Sequence, residues 1–238
     1  MMRSIADQDA NELGGRWSVL VRQKSDHLTL DALLEELKGT TGAEQGQVLL
    51  KIYRLVFPHA FAEESVLWPL MRQVLPDGQK LTLEVEREHQ EVNELVTALE
   101  GMPLDDLARE PLLVRLAEVL REDVRDEEDE LLPRLQAQLS WNQLRGAGLA
   151  WEVVRRTAPT RAHPVVARRP PGNVIAALPL SVIDRVRDLV DGAVLRNSKQ
   201  TGFWLRRLSS ALTGLSHQVE RLHIMRQGED PSTALALH

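Results

Sequence analysis

Two short segments of this 238-residue chain carry side chains that could hold a metal. The first reads His59-Ala-Phe-Ala-Glu63-Glu64-Ser-Val-Leu67-Trp68-Pro69. The second, sixty-four residues on, reads Asp123-Val-Arg-Asp-Glu127-Glu128-Asp-Glu-Leu131-Leu132-Pro133. Both follow the pattern (His or Asp)-x-x-x-Glu-Glu-x-x-Leu-apolar-Pro. Residues four apart on an α-helix lie one turn apart on nearly the same face, so each copy aims two donors at one point. Two such helices facing each other could hold a pair of cations. The chain contains no cysteine, which excludes thiolate zinc sites, iron–sulfur clusters and thiol nucleophiles. Any metal must take nitrogen and oxygen donors, which suit iron, manganese or zinc. No glycine-rich phosphate loop or nucleophile motif points to a nucleotide enzyme or a hydrolase.

The elements that must position these donors are helices. Apolar periodicity predicts a first helix ending near Gly39, a second from Glu44 to Leu75, a third from Leu81 to Leu99 and a fourth from Pro111 to Leu139. Pro76-Asp77-Gly78 and Gly101-Met102-Pro103 supply the stops between them. Short connections make neighbouring helices antiparallel. The expected fold is therefore all-α, an up-down-up-down four-helix bundle over residues 1–139, with a C-terminal helical extension over residues 140–238. Pro58 should bend the second helix just before His59, and Pro69 and Pro133 should perturb their helices alike. In the extension, Ser140 is placed to cap a fifth helix reaching Arg156. The proline-rich stretch 157–173, TAPTRAHPVVARRPPGN, is non-helical, and amphipathic helices follow it. Leu208, Leu215 and Leu222 form a short seam, open to core packing, a homodimer contact or a protein partner.

Charge is divided along the chain. Residues 1–140 hold 28 Asp and Glu against 15 Lys and Arg, whereas residues 141–238 hold 7 against 14. The acidic part fits a carboxylate-rich cation site as well as a solvated face. The basic part could meet an acidic partner, an anionic surface or the acidic bundle itself. No nucleic-acid motif is present, so no nucleic-acid partner is expected. No stretch approaches the ~20 apolar residues of a membrane span, and the N-terminus lacks an apolar signal core, so a cytoplasmic location is expected.

His27, His59 and His89 fall on three successive predicted helices, and Asp123 and Glu127 on the fourth. Their positions along the helices permit a common layer. This pattern resembles the hemerythrin-like, or HHE cation-binding, family, which carries a His on the first helix, His-x-x-x-Glu on the second, a His on the third and His-x-x-x-Glu on the fourth. The matching residues here are His27, the pair His59 and Glu63, His89, and the pair Asp123 and Glu127. The resemblance covers residues 15–139, and the extension looks like that of some actinobacterial members. It implies a non-haem iron centre, of two ions or one, inside the bundle. In the two-ion form, Glu63 and Glu127 would bridge the ions, His27 and His59 would bind one, and His89 and Asp123 would bind the other. The implied small ligands are O2, peroxide or nitric oxide, for sensing, detoxification or iron handling.

Two positions depart from the family pattern. Asp123 stands where the fourth-helix His belongs, and Asn93 stands where oxygen carriers have a further His on the third helix. These departures argue against reversible oxygen carriage. They keep two alternatives open, a helical interaction module that has lost its metal and a peroxide-consuming di-iron enzyme. Glu86, Glu130 and Tyr53 are candidate extra ligands, and Glu64 and Glu128 candidates for hydrogen bonding to the ligands. A ferritin-like centre needs Glu-x-x-His on two helices, and only Glu86 with His89 supplies it. His163, His217, His223 and His238 receive no role.

Overall fold

The computed structural model describes residues 2–196 and 202–233, which are mostly helical and contain no strand; His238 lies outside them. Helix α1 (Val19–Lys38) begins where the Ser18 side chain accepts a hydrogen bond from the Leu20 N–H, and stops at Gly39. Helix α2 (Gly42–Ala62) runs continuously through Pro58. It passes into a five-residue π-helical turn, Glu63–Leu67, and then into α3 (Trp68–Val74). Helix α4 (Gly78–Glu100) runs back. Helix α5 (Arg109–Asp126) passes through a second π-helical turn, Glu127–Leu131, into α6 (Leu132–Gln138). These four rods are the expected bundle. The first packs on the second, α3 on α4 and α4 on α5, and α1 meets α5 to close the ring.

The two π turns fall at matching places in the duplicated segment, and the prolines explain them. Pro69 and Pro133 have no N–H, and each ring crowds the carbonyl four residues back. The ladder slips by one residue: the Trp68 N–H donates to the Glu63 carbonyl and the Leu132 N–H to the Glu127 carbonyl. The slip inserts one residue per turn ahead of the apolar half of each rod. Leu67, Trp68, Met71 and Leu75 in one copy, and Leu131, Leu132, Leu135 and Leu139 in the other, are all buried in one cluster.

That cluster is one of two large apolar cores in the bundle. It also takes Val19 and Leu20 from α1 and Leu81 and Val85 from α4. The other takes Leu30, Leu34 and Leu37 from α1, residues from Val48 to Phe57 of α2, Val92, Val96 and Leu99 from α4, and Leu113 to Leu120 of α5. On every rod the sequence-predicted donors lie between the stretches that feed the two cores. The donors thus form a polar layer with an apolar core on either side.

Residues beyond the four rods close over this bundle. Ser140 and Gln143 form a reciprocal cap, and α7 (Trp141–Thr157) lays Leu144, Ala147 and Trp151 into the first core. Gly148 lets α7 touch the start of α1, because a Cβ there would stand 2.2 Å from the Trp17 carbonyl oxygen. The connector after α7 is pinned by buried charge. Arg161 bonds Glu100 at 2.6 Å, Asp188 at 2.7 Å and Asp191 at 2.8 Å. The His163 N–H donates to Asn93 Oδ1 at 2.9 Å, and the ring lies 3.0 Å from Asp184 and 3.3 Å from Glu220. Burial opposes a charge on His163, but these two carboxylates outweigh it and raise the imidazole to about 9. Helices α8 (Gly172–Arg196) and α9 (Gly202–Glu220) pair with each other, and α8 also rests on α2. No described helix is long and apolar enough to cross a membrane.

Gly148→Ala is expected to lower stability by about 1–3 kcal/mol, the range for overpacking a close contact. A fall in the urea midpoint without change in its slope would show it; an unchanged midpoint would mean that α7 does not sit this close to α1.

Candidate metal centre

The structure gathers all six predicted donor residues in the polar layer. One donor atom each from His27, His59, Glu63 and Glu127 lies within 4.8 Å of the others, and the same holds for His89, Asp123 and Glu127. Glu127 belongs to both groups. Glu63 faces both ways as well: Oε1 is 2.9 Å from His59 Nε2, and Oε2 is 3.7 Å from His89 Nε2. Glu127 Oε2 is 3.2 Å from His27 Nε2, and Asp123 Oδ1 is 3.7 Å from His89 Nε2. Three imidazole nitrogens and three carboxylates therefore converge on one small volume.

Each histidine is turned inward by a carboxylate on its far side. His27 Nδ1 is 2.9 Å from Glu128 Oε1, His59 Nδ1 is 3.1 Å from Asp26 Oδ2, and His89 Nδ1 is 2.9 Å from Glu64 Oε1. An acceptor at Nδ1 fixes the proton there and leaves Nε2 as the free donor, the arrangement typical of metal-binding histidines. The second Glu of each Glu-Glu pair thus serves a histidine on another rod. The π turns contribute here, because both Glu-Glu pairs begin them.

The layer is unsatisfied as it stands. Both oxygens of Glu63, Glu127 Oε1, Asp123 Oδ1 and His27 Nε2 are buried and have no hydrogen-bond partner among the described residues. Leaving buried carboxylate oxygens without donors is costly, and either protons or a metal cation can offset that cost. Five such atoms of donor type, facing one another, fit a cation or a pair of them.

Titration behaviour reflects the same crowding. Burial disfavours a charged His27, but the carboxylates of Glu127 and Glu128 on either side of its ring prevail and raise it to about 9. Against its burial, His89 is raised to about 10 by Glu64, Asp123 and Glu63. His59 is also held well above its ordinary value, burial being outweighed by Glu63 and Asp26. Burial and the repulsion of Glu127 push Asp123 well up, and burial and the Glu63 charge raise Glu127. Burial works on Glu63 in the same direction, but the nearby His59, His89 and His27 charges lower it. Protons thus do in the metal-free layer what a cation would do in its place.

Several expectations resolve differently from a plain list of ligands. Glu86 is bonded by Arg72 and by Arg169, so it does not face the layer as a donor. Glu130 is exposed beside Arg134. Asn93 is a structural tie: its Nδ2 donates to the His89 carbonyl at 2.8 Å, and its Oδ1 receives the connector. Two further carboxylates, Asp26 and Glu88, have no signal in the sequence. Asp26 adjoins His27 in sequence but turns to His59. Glu88 adjoins His89 and meets Asp123 instead, and burial raises it. Neighbouring residues on a helix point ~100° apart, so sequence adjacency hides such cross-rod contacts.

A cavity of about 30 Å³ adjoins the donors, walled by Leu30, Phe57, Val92, Leu120 and Val124 and touched by His27, His59, His89 and Asp123. It exceeds the ~10–15 Å³ that one water needs.

Deprotonating the layer and loading it with metal are linked processes. The stability that His27 and His89 give the metal-free protein is fully present below their ordinary value of 6.5 and is lost as pH rises through about 9 and about 10. A metal binds the deprotonated donors, so its stabilisation grows over the same range. The gap in melting temperature between metal-loaded and metal-free protein should widen from pH 6 to pH 9, read by scanning calorimetry. A gap that narrows would contradict the arrangement.

Comparison with known proteins bears on the same residues. Residues 19–135 match the family model described as Hemerythrin HHE cation binding domain. A Schizosaccharomyces pombe protein described as an uncharacterized hemerythrin-like protein is 27% identical over 172 residues, covering 70% of this chain and 83% of its own length. No solved structure matches the chain.

Proposed function

Because residues 19–135 belong to the hemerythrin HHE cation-binding domain family, we propose that the polar layer is a non-haem iron centre of two ions that meets a small ligand, O2, peroxide or nitric oxide. His27 and His59 would hold one ion, and His89 and Asp123 the other, with Glu63 and Glu127 shared between them. One observation carries this reading: both oxygens of Glu63 and Oε1 of Glu127, all buried, stand without a hydrogen-bond partner among three inward-turned imidazole rings. A protein that only packed helices would gain stability by replacing such a layer with apolar residues.

Bound iron supplies redox chemistry and open coordination positions for a diatomic molecule or peroxide. The chain supplies the rest. Imidazole and carboxylate donors in these proportions make the two halves unequal, two histidines on one side and one on the other. Asp123 adds negative charge to the poorer half and so favours the higher oxidation state there. Apolar cores lie on either side of the layer, and the small cavity beside the donors has room for a ligand of a few atoms. Asp26, Glu64 and Glu128 hold the imidazole protons at Nδ1.

Protein loaded anaerobically with ferrous iron should carry two ions per chain by elemental analysis. It should develop a near-ultraviolet charge-transfer band on exposure to O2 or peroxide. Glu63→Ala should lose both. Asp123→His should raise occupancy of the second position and change the colour. Protein that binds no iron at all would overturn the proposal, and steady consumption of peroxide by the loaded protein would make it an enzyme.

A further inference from the structure

Two of the three carboxylates that orient the histidines are themselves met by arginines from outside residues 19–135. On α7, Arg155 Nη1 lies 3.5 Å from Asp26 Oδ2, the oxygen that faces His59 Nδ1. In the connector, Arg168 Nη1 lies 3.7 Å from Glu64 Oε1, the oxygen that faces His89 Nδ1. The third carboxylate, Glu128 beside His27, has no arginine within ion-pair distance among the described residues. The two arginines therefore end two parallel chains, Arg155–Asp26–His59 and Arg168–Glu64–His89.

Both arginines are held in place independently of these contacts. Arg168 is buried, and its guanidinium also donates to Gln90 Oε1 on α4. Its main-chain N–H is taken by Glu229, near the end of the described chain. Arg155 lies over the Trp151 ring at 5.2 Å and is bonded by Glu152 at 3.3 Å. Trp151, one turn earlier on α7, sets its edge against the His59 ring, with centroids 5.4 Å apart. α7 therefore touches His59 twice, directly through Trp151 and through Asp26 by way of Arg155.

We propose that Arg155 and Arg168 are positioning residues for the metal centre. Each fixes the rotamer of the carboxylate it meets, and that carboxylate in turn accepts from the imidazole at Nδ1 and orients the ring. The extension thereby completes a site whose donors all lie in the HHE unit, and a change in the fit of α7 or the connector reaches the centre through His59 and His89 and spares His27. The inference rests on the proposed iron centre for its consequence on metal binding. Its consequence for the histidines needs no metal.

The test uses the full chain with Arg155→Gln, Arg168→Gln and the corresponding Lys variants. In metal-free protein labelled with ¹⁵N at histidine, Arg168→Gln should shift the ring signals of His89, and Arg155→Gln those of His59, with His27 unmoved in both. Anaerobic ferrous titration should show affinity reduced about tenfold in each Gln variant, the lower end of losses caused by removing outer partners of metal ligands. Lys, which keeps the charge, should restore most of the affinity. Unmoved His59 and His89 signals, or equal shifts at all three histidines, would overturn the proposal. If Arg168→Gln fails to fold, the more exposed Arg155 decides by the same readout. Wild-type protein that takes up no iron would remove the proposed function, while the histidine signals would still decide whether the arginines position them.

Discussion

Carboxylates buried in the middle of a helical bundle set the terms for every other feature of this structure. Glu63 and Glu127 are almost wholly buried, and the charged layer they occupy separates two apolar cores. Transfer of an unpaired carboxylate to such a place costs several kcal/mol even after relaxation. A bundle tolerates it only with cations close by. In the metal-free protein the nearby cations are imidazoliums, which is why three histidines are raised while Asp123 and Glu127 are pushed toward the neutral acid. A bound metal would take over that role and release the protons.

Geometry follows from the same constraint. The layer needs donors from all four rods at one height, and each rod must still feed an apolar core on both sides. An uninterrupted α-helix carries one phase of apolar positions throughout. The π turns at Glu63–Leu67 and Glu127–Leu131 reset that phase just past the ligands, and Pro69 and Pro133 stand shortly after them, where a missing N–H favours the slip. The duplicated Glu-Glu-x-x-Leu-apolar-Pro segment is thus one device used twice. Its first Glu points to the centre, its second braces a histidine on another rod, and its proline sets the turn that lets the core resume.

Much of this was legible in the sequence, for physical reasons that also mark where legibility stopped. Helix spacing and proline and glycine stops placed the four rods, because periodicity and backbone punctuation are local. The i, i+4 pairs identified Glu63 and Glu127 with their partners, and the cap at Ser140 is a local hydrogen-bonding motif that the structure contains. The phase slip was signalled by the prolines only as a perturbation. Contacts between rods left no local trace. Asp26 reaches His59 across thirty-three positions, and Glu64 reaches His89 across twenty-five. Arg155, Arg168 and His163 lie in segments whose composition announces only a helix and a non-helical connector. Their roles arise because the extension folds back on the bundle, and a charge on a helix looks the same whether it meets water or a buried acid.

If Glu63 and Glu127 are shared by two ions, as proposed, X-ray absorption at the iron edge of the loaded protein will show imidazole scattering together with an iron neighbour at about 3.5 Å, the spacing usual for paired metal ions, and Glu127→Gln will lose that neighbour. A spectrum with imidazole scattering but no second iron in fully loaded wild-type protein would contradict it.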